Sequence, residues 1–344
     1  MKPRLTFFCE LEAGPLLELF AGRAVLDSLA AVGGAVSLGL IDLSDDRASV
    51  VRRLNRAGIP VVAWLLLPKE EGYWFNTGNV LAAARRYGAF TVWSREQRLR
   101  WSSVGLDIET DIQEMRQLLV QPALLLPTLL GRLVNGRQLA SAQAGYAALL
   151  AEMRADGFRL DSYQMPLIVD ERRAGSQLLR RLAGWVDLPV DREVLMLYSS
   201  FYRPLGGAIL ASYARQAGSV GVGVTGGGVQ IEGVQQAAFL TWDEFRRDLL
   251  LASGYTDDIH IFSLEGCVQQ GFLQRLADVD WDTLPDNAPA LLDEVNVLRA
   301  LLGAALKASN HPGSMVLALL ALMKGARRRS EPSWRSDGRG RRAT

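Results

Sequence analysis

Eight short apolar runs recur along this chain, each followed by a segment of helical periodicity, and that alternation leaves few folds open. The runs are Leu5 to Glu12, Ala35 to Leu43, Pro60 to Leu67, Ser103 to Glu109, Arg159 to Ile168, Glu193 to Ser199, Ser219 to Thr225 and Asp258 to Glu265. Between them, Leu16 to Ala31, Ala48 to Ala57, Gly78 to Tyr87, Arg173 to Trp185, Gly206 to Ala217 and Trp242 to Ala252 are amphipathic at helical spacing. Runs so continuously apolar suit strands buried on both faces, as parallel strands are. The alternation therefore predicts the α/β class and a single (β/α)8 TIM barrel. A doubly wound sheet fits less well, because Glu12-Ala13-Gly14-Pro15 after the first run is not a Gly-rich phosphate turn.

The spacing is uneven in two places. Residues 110–158 form an insertion between strands four and five, long enough for an extra helix or a subdomain over the barrel mouth. After the eighth run, Ala288 to Ala308 and Ser314 to Ala326 predict two added helices. The expected organisation is a barrel over 1–326, including the 110–158 insertion and the 288–326 helices, with a basic disordered tail over 327–344.

Charge and composition exclude several classes. The chain is 49% hydrophobic and 22% charged, as soluble globular proteins are. Its net charge of +1 is uneven: Lys324 to Thr344 holds eight Lys or Arg against two acids, leaving −5 on the rest. The body thus has no nucleic-acid footprint. Leu118 to Val134 is broken by Gln121, Pro122, Pro127 and Arg132, and Met315 to Met323 is too short to span a bilayer. The second stretch, followed by Lys324 and Arg327 to Arg329, leaves membrane-surface contact as an alternative to a packed helix. The N-terminus lacks the apolar core of a signal peptide, so the expected compartment is the cytoplasm. Cys9 and Cys267 lack metal-ligand spacing, and His260 and His311 are the only histidines. A His-centred triad or His-rich metal site is not expected, and no cofactor is.

In a barrel of this kind the strand ends converge on one mouth, where the chemistry is placed. Asp107 and Glu109 close the fourth run one residue apart, so alternation points them the same way. Glu10 and Glu12 are likewise in phase on strand one, Asp42 ends strand two, and Glu265 ends strand eight. Tyr73 and Trp74 follow strand three in a loop, Gln164 lies on strand five, and Met196 and Tyr198 lie on strand six. Carboxylates with aromatics suit glycoside cleavage, in which one acid protonates the leaving oxygen and rings stack on sugar faces. Strands four and eight are opposite in such a barrel, so Glu109 and Glu265 would flank a bound sugar, with Glu10 or Glu12 raising a neighbour's pKa. The same acids are oxygen donors of the kind Mg²⁺ or Ca²⁺ takes, although the strand ends offer only Lys69 as a companion cation. The Gly-rich stretch Val222 to Val229 reads as a phosphate cradle or a mouth loop.

Leu106-Asp107-Ile108-Glu109 resembles the end of the strand-four signature of the chitinase-like (family eighteen) branch of the TIM-barrel glycoside hydrolases, a run of alternating Asp that closes with the catalytic Glu. Met196-Leu197-Tyr198 resembles the Met-x-Tyr element of that family's strand six. The resemblance implies Glu109 as general acid, Asp107 as its partner in positioning and pKa control, and Tyr198 as a hydrogen bonder to the substrate. Ser103 and Gly105 stand where the family carries its earlier Asp residues, and Ser199 where an Asp follows the Tyr. The expected activity is acid-assisted cleavage of a carbohydrate. The alternative is a catalytically inactive carbohydrate-binding or scaffold barrel.

Overall fold

A computed structural model of the chain describes residues 2–134, 136–234, 238–283, 285 and 291–311. Eight parallel strands close in sequence order: β1 (Arg4–Cys9), β2 (Ala35–Leu40), β3 (Val61–Leu65), β4 (Ser103–Ile108), β5 (Leu160–Gln164), β6 (Arg192–Met196), β7 (Ser219–Gly223) and β8 (Asp258–Phe262). Closure is the pairing of β1 with β8, which aligns Thr6 with His260 and Phe8 with Phe262. The (β/α)8 barrel expected from the alternation is present, and all eight predicted strands are in it. Each ends two to four residues before its apolar run does, except β4, which stops one residue short. The difference matters at β1 and β8, where Glu12 and Glu265 fall outside the strands.

The helices around the barrel are α1 (Ala13–Leu19), α2 (Ala24–Val32), α3 (Asp45–Arg56), α4 (Val80–Glu96), α5 (Ile112–Val120), α6 (Leu126–Val134), α7 (Arg137–Ala155), α8 (Leu167–Ala174), α9 (Leu178–Ala183), α10 (Gly206–Ala214), α11 (Trp242–Ser253), α12 (Leu264–Gln269), α13 (Phe272–Arg275) and α14 (Leu292–Ser309). Local chemistry sets several of these starts. Ser44 caps α3, Asp111 caps α5, and Thr241 with Glu244 forms a reciprocal capping box at α11. Two predicted helices are each a broken pair. Leu16 to Ala31 divides around Gly22, and Arg173 to Trp185 is replaced by α8 and α9, with Gly175 in the left-handed region ending the first. Within 110–158, α7 is the crossover helix of the barrel itself, burying Leu139, Tyr146, Leu149, Leu150 and Met153, so the surplus is α5, a 3₁₀ turn (Pro122–Leu125) and α6. The predicted 314–326 helix and the 327–344 tail lie outside the described residues. Among the described residues no helix is long and apolar enough to cross a membrane.

Alternation sorts the strand residues into two cores. Leu5, Phe7 and Cys9 face the helices, while Phe8, Trp64, Tyr163, Val194 and Met196 fill the interior. The bottom of that interior is ionic. Arg192 donates to Asp161 at 2.7 and 2.9 Å and to Asp258 at 3.2 Å, Ser103 donates to Asp161 at 2.6 Å, and Ser219 to Asp258 at 2.9 Å. Asp161 and Asp258 are both buried, so neither carboxylate can exchange this cation for water. Removing one partner from a buried ion network strands the others. Arg192→Met should therefore cost about 3–5 kcal/mol of unfolding free energy, measured by urea denaturation. A loss under about 1 kcal/mol would mean that the network is solvated.

Candidate active site

The strand ends surround a cavity of about 430 Å³ at the carboxyl-terminal mouth of the barrel. Its floor is aromatic. Phe8 meets Tyr163 edge-on at 4.6 Å and Trp64 at 5.2 Å between ring centres, and the Tyr163 hydroxyl shares a 2.7 Å hydrogen bond with Ser37. Trp74, Met196, Tyr198 and Phe262 form the sides, and Glu10, Asp107 and Glu109 are the three acids of the lining. No Lys or Arg is among the described residues of the lining.

Gly105 explains how β4 departs from an Asp at that position. A Cβ there would lie inside the phenol of Tyr163, so the ring takes the space an inward side chain would need. Asp107, one strand repeat further on, is 3% exposed, and its Oδ1 is buried without a hydrogen-bond partner. Burial pushes its carboxyl well above the usual range, and the neighbouring Glu109 and Glu10 push it the same way. Burial also raises Glu109, to about 7.

Glu10 is held from two sides. The Tyr73 hydroxyl donates to Oε1 at 2.6 Å and the Val229 backbone N–H donates to Oε2 at 3.0 Å. Burial nevertheless lifts its pKa to about 8; the Tyr73 hydrogen bond opposes that rise and the nearby Glu265 adds to it. Both donors depend on unusual backbone. Tyr73 has φ 64°, after Gly72 at φ 101°. The loop carrying it is pinned by Asn79, whose side chain accepts from Asn76 N at 2.9 Å and donates to Trp74 O at 2.8 Å. Val229 follows Gly226, Gly227 and Gly228, all at positive φ, and a Cβ at Gly227 would collide with the Glu265 carboxylate. The Gly-rich stretch is thus a backbone arm that reaches Glu10, the mouth-loop reading rather than the phosphate cradle.

Several predicted site residues are elsewhere. Glu265 is in the first turn of α12 and does not line the cavity; its Oε1 accepts from the Glu10 backbone N–H at 3.3 Å, and burial raises it to about 7. It supports Glu10 from behind, and the strand-eight position facing the cavity is Phe262. Glu12 is exposed at the start of α1, because β1 ends at Cys9. Asp42 is paired with the fully buried Arg47 at 2.8 Å; despite partial burial, hydrogen bonds from Arg47 and Ser44 hold it down at about 2. Gln164 points away from the interior and donates to Val186 O at 3.3 Å. Tyr73 contacts Glu10 and is not in the lining, whereas Trp74, Met196 and Tyr198 are. Met115 and Leu119 of α5 also border the cavity. Their sequence signal was Asp111, a helix cap with the acidic Glu114 in the turn that follows, which starts a helix inside the insertion. Among the described residues, no group of three or more His, Cys, Asp or Glu side chains is placed to hold a metal ion.

Fold and site together define a (β/α)8 barrel with an acid-lined, aromatic mouth. No family model matches the chain, and no curated protein matches it in sequence. Among solved structures it is similar to the PgaB (BpsB) glycoside hydrolase domain from Bordetella bronchiseptica, at 9% identity and TM-score 0.46 over 81% of this chain and 99% of that one. It is also similar to a D-allulose 3-epimerase from Methylomonas sp., at 11% identity and TM-score 0.42 over 87% and 98%, and to an L-ribulose 3-epimerase, at 15% identity and TM-score 0.40 over 92% and 98%.

The raised carboxyls have a stability signature. A carboxyl of raised pKa keeps in the folded state a proton that the unfolded chain has released, so its contribution is complete below about 4.5 and disappears as pH rises to about 8. Unfolding free energy should fall between pH 5 and 8. Glu10→Gln should flatten that fall and stabilise the protein at pH 8 by about 2–4 kcal/mol, measured by chemical denaturation at both pH values. An unchanged slope would show that Glu10 titrates normally.

Proposed function

We propose that this barrel cleaves a glycosidic bond by acid assistance at its mouth. The observation that carries the reading is the Asp107 and Glu109 pair: two desolvated carboxyls on one strand face, in one cavity, without a cation among the lining residues. Two such groups cannot both ionise freely, so near neutral pH the pair retains a proton. Glu109, with a pKa of about 7, is the group to deliver that proton to the leaving oxygen. Asp107, deeper in the cavity and itself held protonated by burial and by Glu109, positions and tunes that acid, which regains a proton from the water that adds to the anomeric carbon. Tyr198 faces the same space and supplies a hydrogen-bonding hydroxyl, and Trp74 supplies an apolar face for a sugar ring. Glu10, fixed by Tyr73 and Val229, takes the place of the second carboxyl that the strand order offered to Glu265.

The resemblance to the chitinase-like glycosidases supports this assignment at Asp107, Glu109, Met196 and Tyr198, all of which line the one cavity. Hydrolysis of a panel of aryl glycosides, N-acetylhexosaminides included, tests it. Glu109→Gln should lose roughly 10²- to 10⁴-fold in turnover, while Glu265→Gln should stay within about tenfold, since its carboxyl does not reach the cavity. The kcat/KM of the wild type should fall above pH 7 as Glu109 loses its proton. Sugar binding without turnover by the folded wild type would favour the inactive carbohydrate-binding barrel.

A further inference from the structure

The acids occupy one end of the cavity only. Towards solvent its wall passes to Met115 and Leu119 of α5, Phe201 after β6, and Ile231, Val234 and Phe239 after β7. Three of these are open to solvent, Leu119 and Phe201 at 55% exposed and Phe239 at 39%. The apolar surface extends from Leu119 to Leu118 and Val120 on the same helix, 46% and 45% exposed. The two sides of this rim are joined: Arg116 of α5 donates to the Glu232 carbonyl and pairs with its carboxylate, each at 3.2 Å. An exposed apolar collar of this kind is unfavourable in water unless something covers it. A free monosaccharide offers hydroxyls to both ends of the cavity and would leave the collar wet.

We infer that the substrate is an amphiphilic glycoside, whose sugar sits among Glu10, Asp107 and Glu109 and whose aglycone is an alkyl or aryl group lying along Leu119, Phe201 and Phe239. The inference rests on the glycosidase reading of the acids and adds the class of leaving group. The occupant follows from continuity. The same cavity runs from carboxyls to collar, so a group attached at the leaving oxygen exits over the apolar wall. Each methylene buried there should tighten binding about fourfold.

The test compares methyl, n-butyl and n-octyl glycosides of one sugar, the one the panel shows to be best bound, with 1-octanol as the chain lacking a sugar. Affinities are taken by calorimetry below the micellar concentration, on wild type and on Leu119→Ser and Phe239→Ser, with melting curves as the folding control. The proposal expects affinity to rise at least 30-fold from methyl to octyl, the rise to shrink at least fivefold in the rim variants, and octanol to bind far more weakly than octyl glycoside. Equal affinity for methyl and octyl glycosides, with turnover intact, overturns the aglycone inference and leaves the glycosidase reading standing. Octanol binding as tightly as octyl glycoside overturns the sugar end, and the inference with it. A wild-type dimer that dissociates in the rim variants, without chain-length dependence, assigns the collar to a second copy of the chain and overturns the proposal. So does flotation on phosphatidylcholine vesicles that the rim variants lose, again without chain-length dependence.

Discussion

Pairing β1 with β8 closes the sheet, and closure converts a local rule into a site. In an open sheet alternate side chains face one of two surfaces; in the barrel one of those surfaces becomes a shared interior. Glu10, Asp107, Met196 and Tyr198 come from distant parts of the chain, yet each follows inward residues of its own strand by two or four positions. The desolvation that raises Glu10, Asp107 and Glu109 comes from the same enclosure. Loosening the β1–β8 seam would therefore release the acids to water as well as open the barrel.

The interior has two polar ends with opposite electrostatic solutions. At the bottom, Asp161 and Asp258 share Arg192, and burial is offset by charge pairing; Asp258 is held below its ordinary pKa, since His260, Arg192 and Ser219 outweigh its burial. At the top, three carboxyls share a cavity without a lining cation, and protonation relieves the cost of burial instead. The same residue type is a fixed structural charge in one layer and a reservoir of protons in the other. Arg47 shows the first arrangement beside the second, drawing Asp42 into an ion pair and out of the mouth.

Eight strands were legible because burial on both faces leaves a continuous apolar run, and the phase of Asp107, Glu109, Met196 and Tyr198 was legible because alternation extends past the last ladder hydrogen bond. Strand ends were less so. An apolar residue that opens the following helix reads like one that ends the strand, which is how Leu264 carried Glu265 into β8. The role of Tyr73 depends on a left-handed backbone that no side-chain pattern reports, and that of Val229 on a peptide N–H that every residue but proline has. Glycine clusters at 226–228 marked the arm without saying what it would touch. The helix breaks at Gly22 and Gly175 carried a signal, but amphipathic spacing on either side masked it.

The aromatic floor separates the two polar ends: Phe8, Trp64 and Tyr163 are each 2% exposed or less and meet edge to face across the barrel axis. Water that reaches the acids from the barrel axis must come from the mouth side. A ligand that fills the mouth therefore lies across the path by which bulk water reaches Glu10, Asp107 and Glu109, and leaves to them only the water that enters with it or past it.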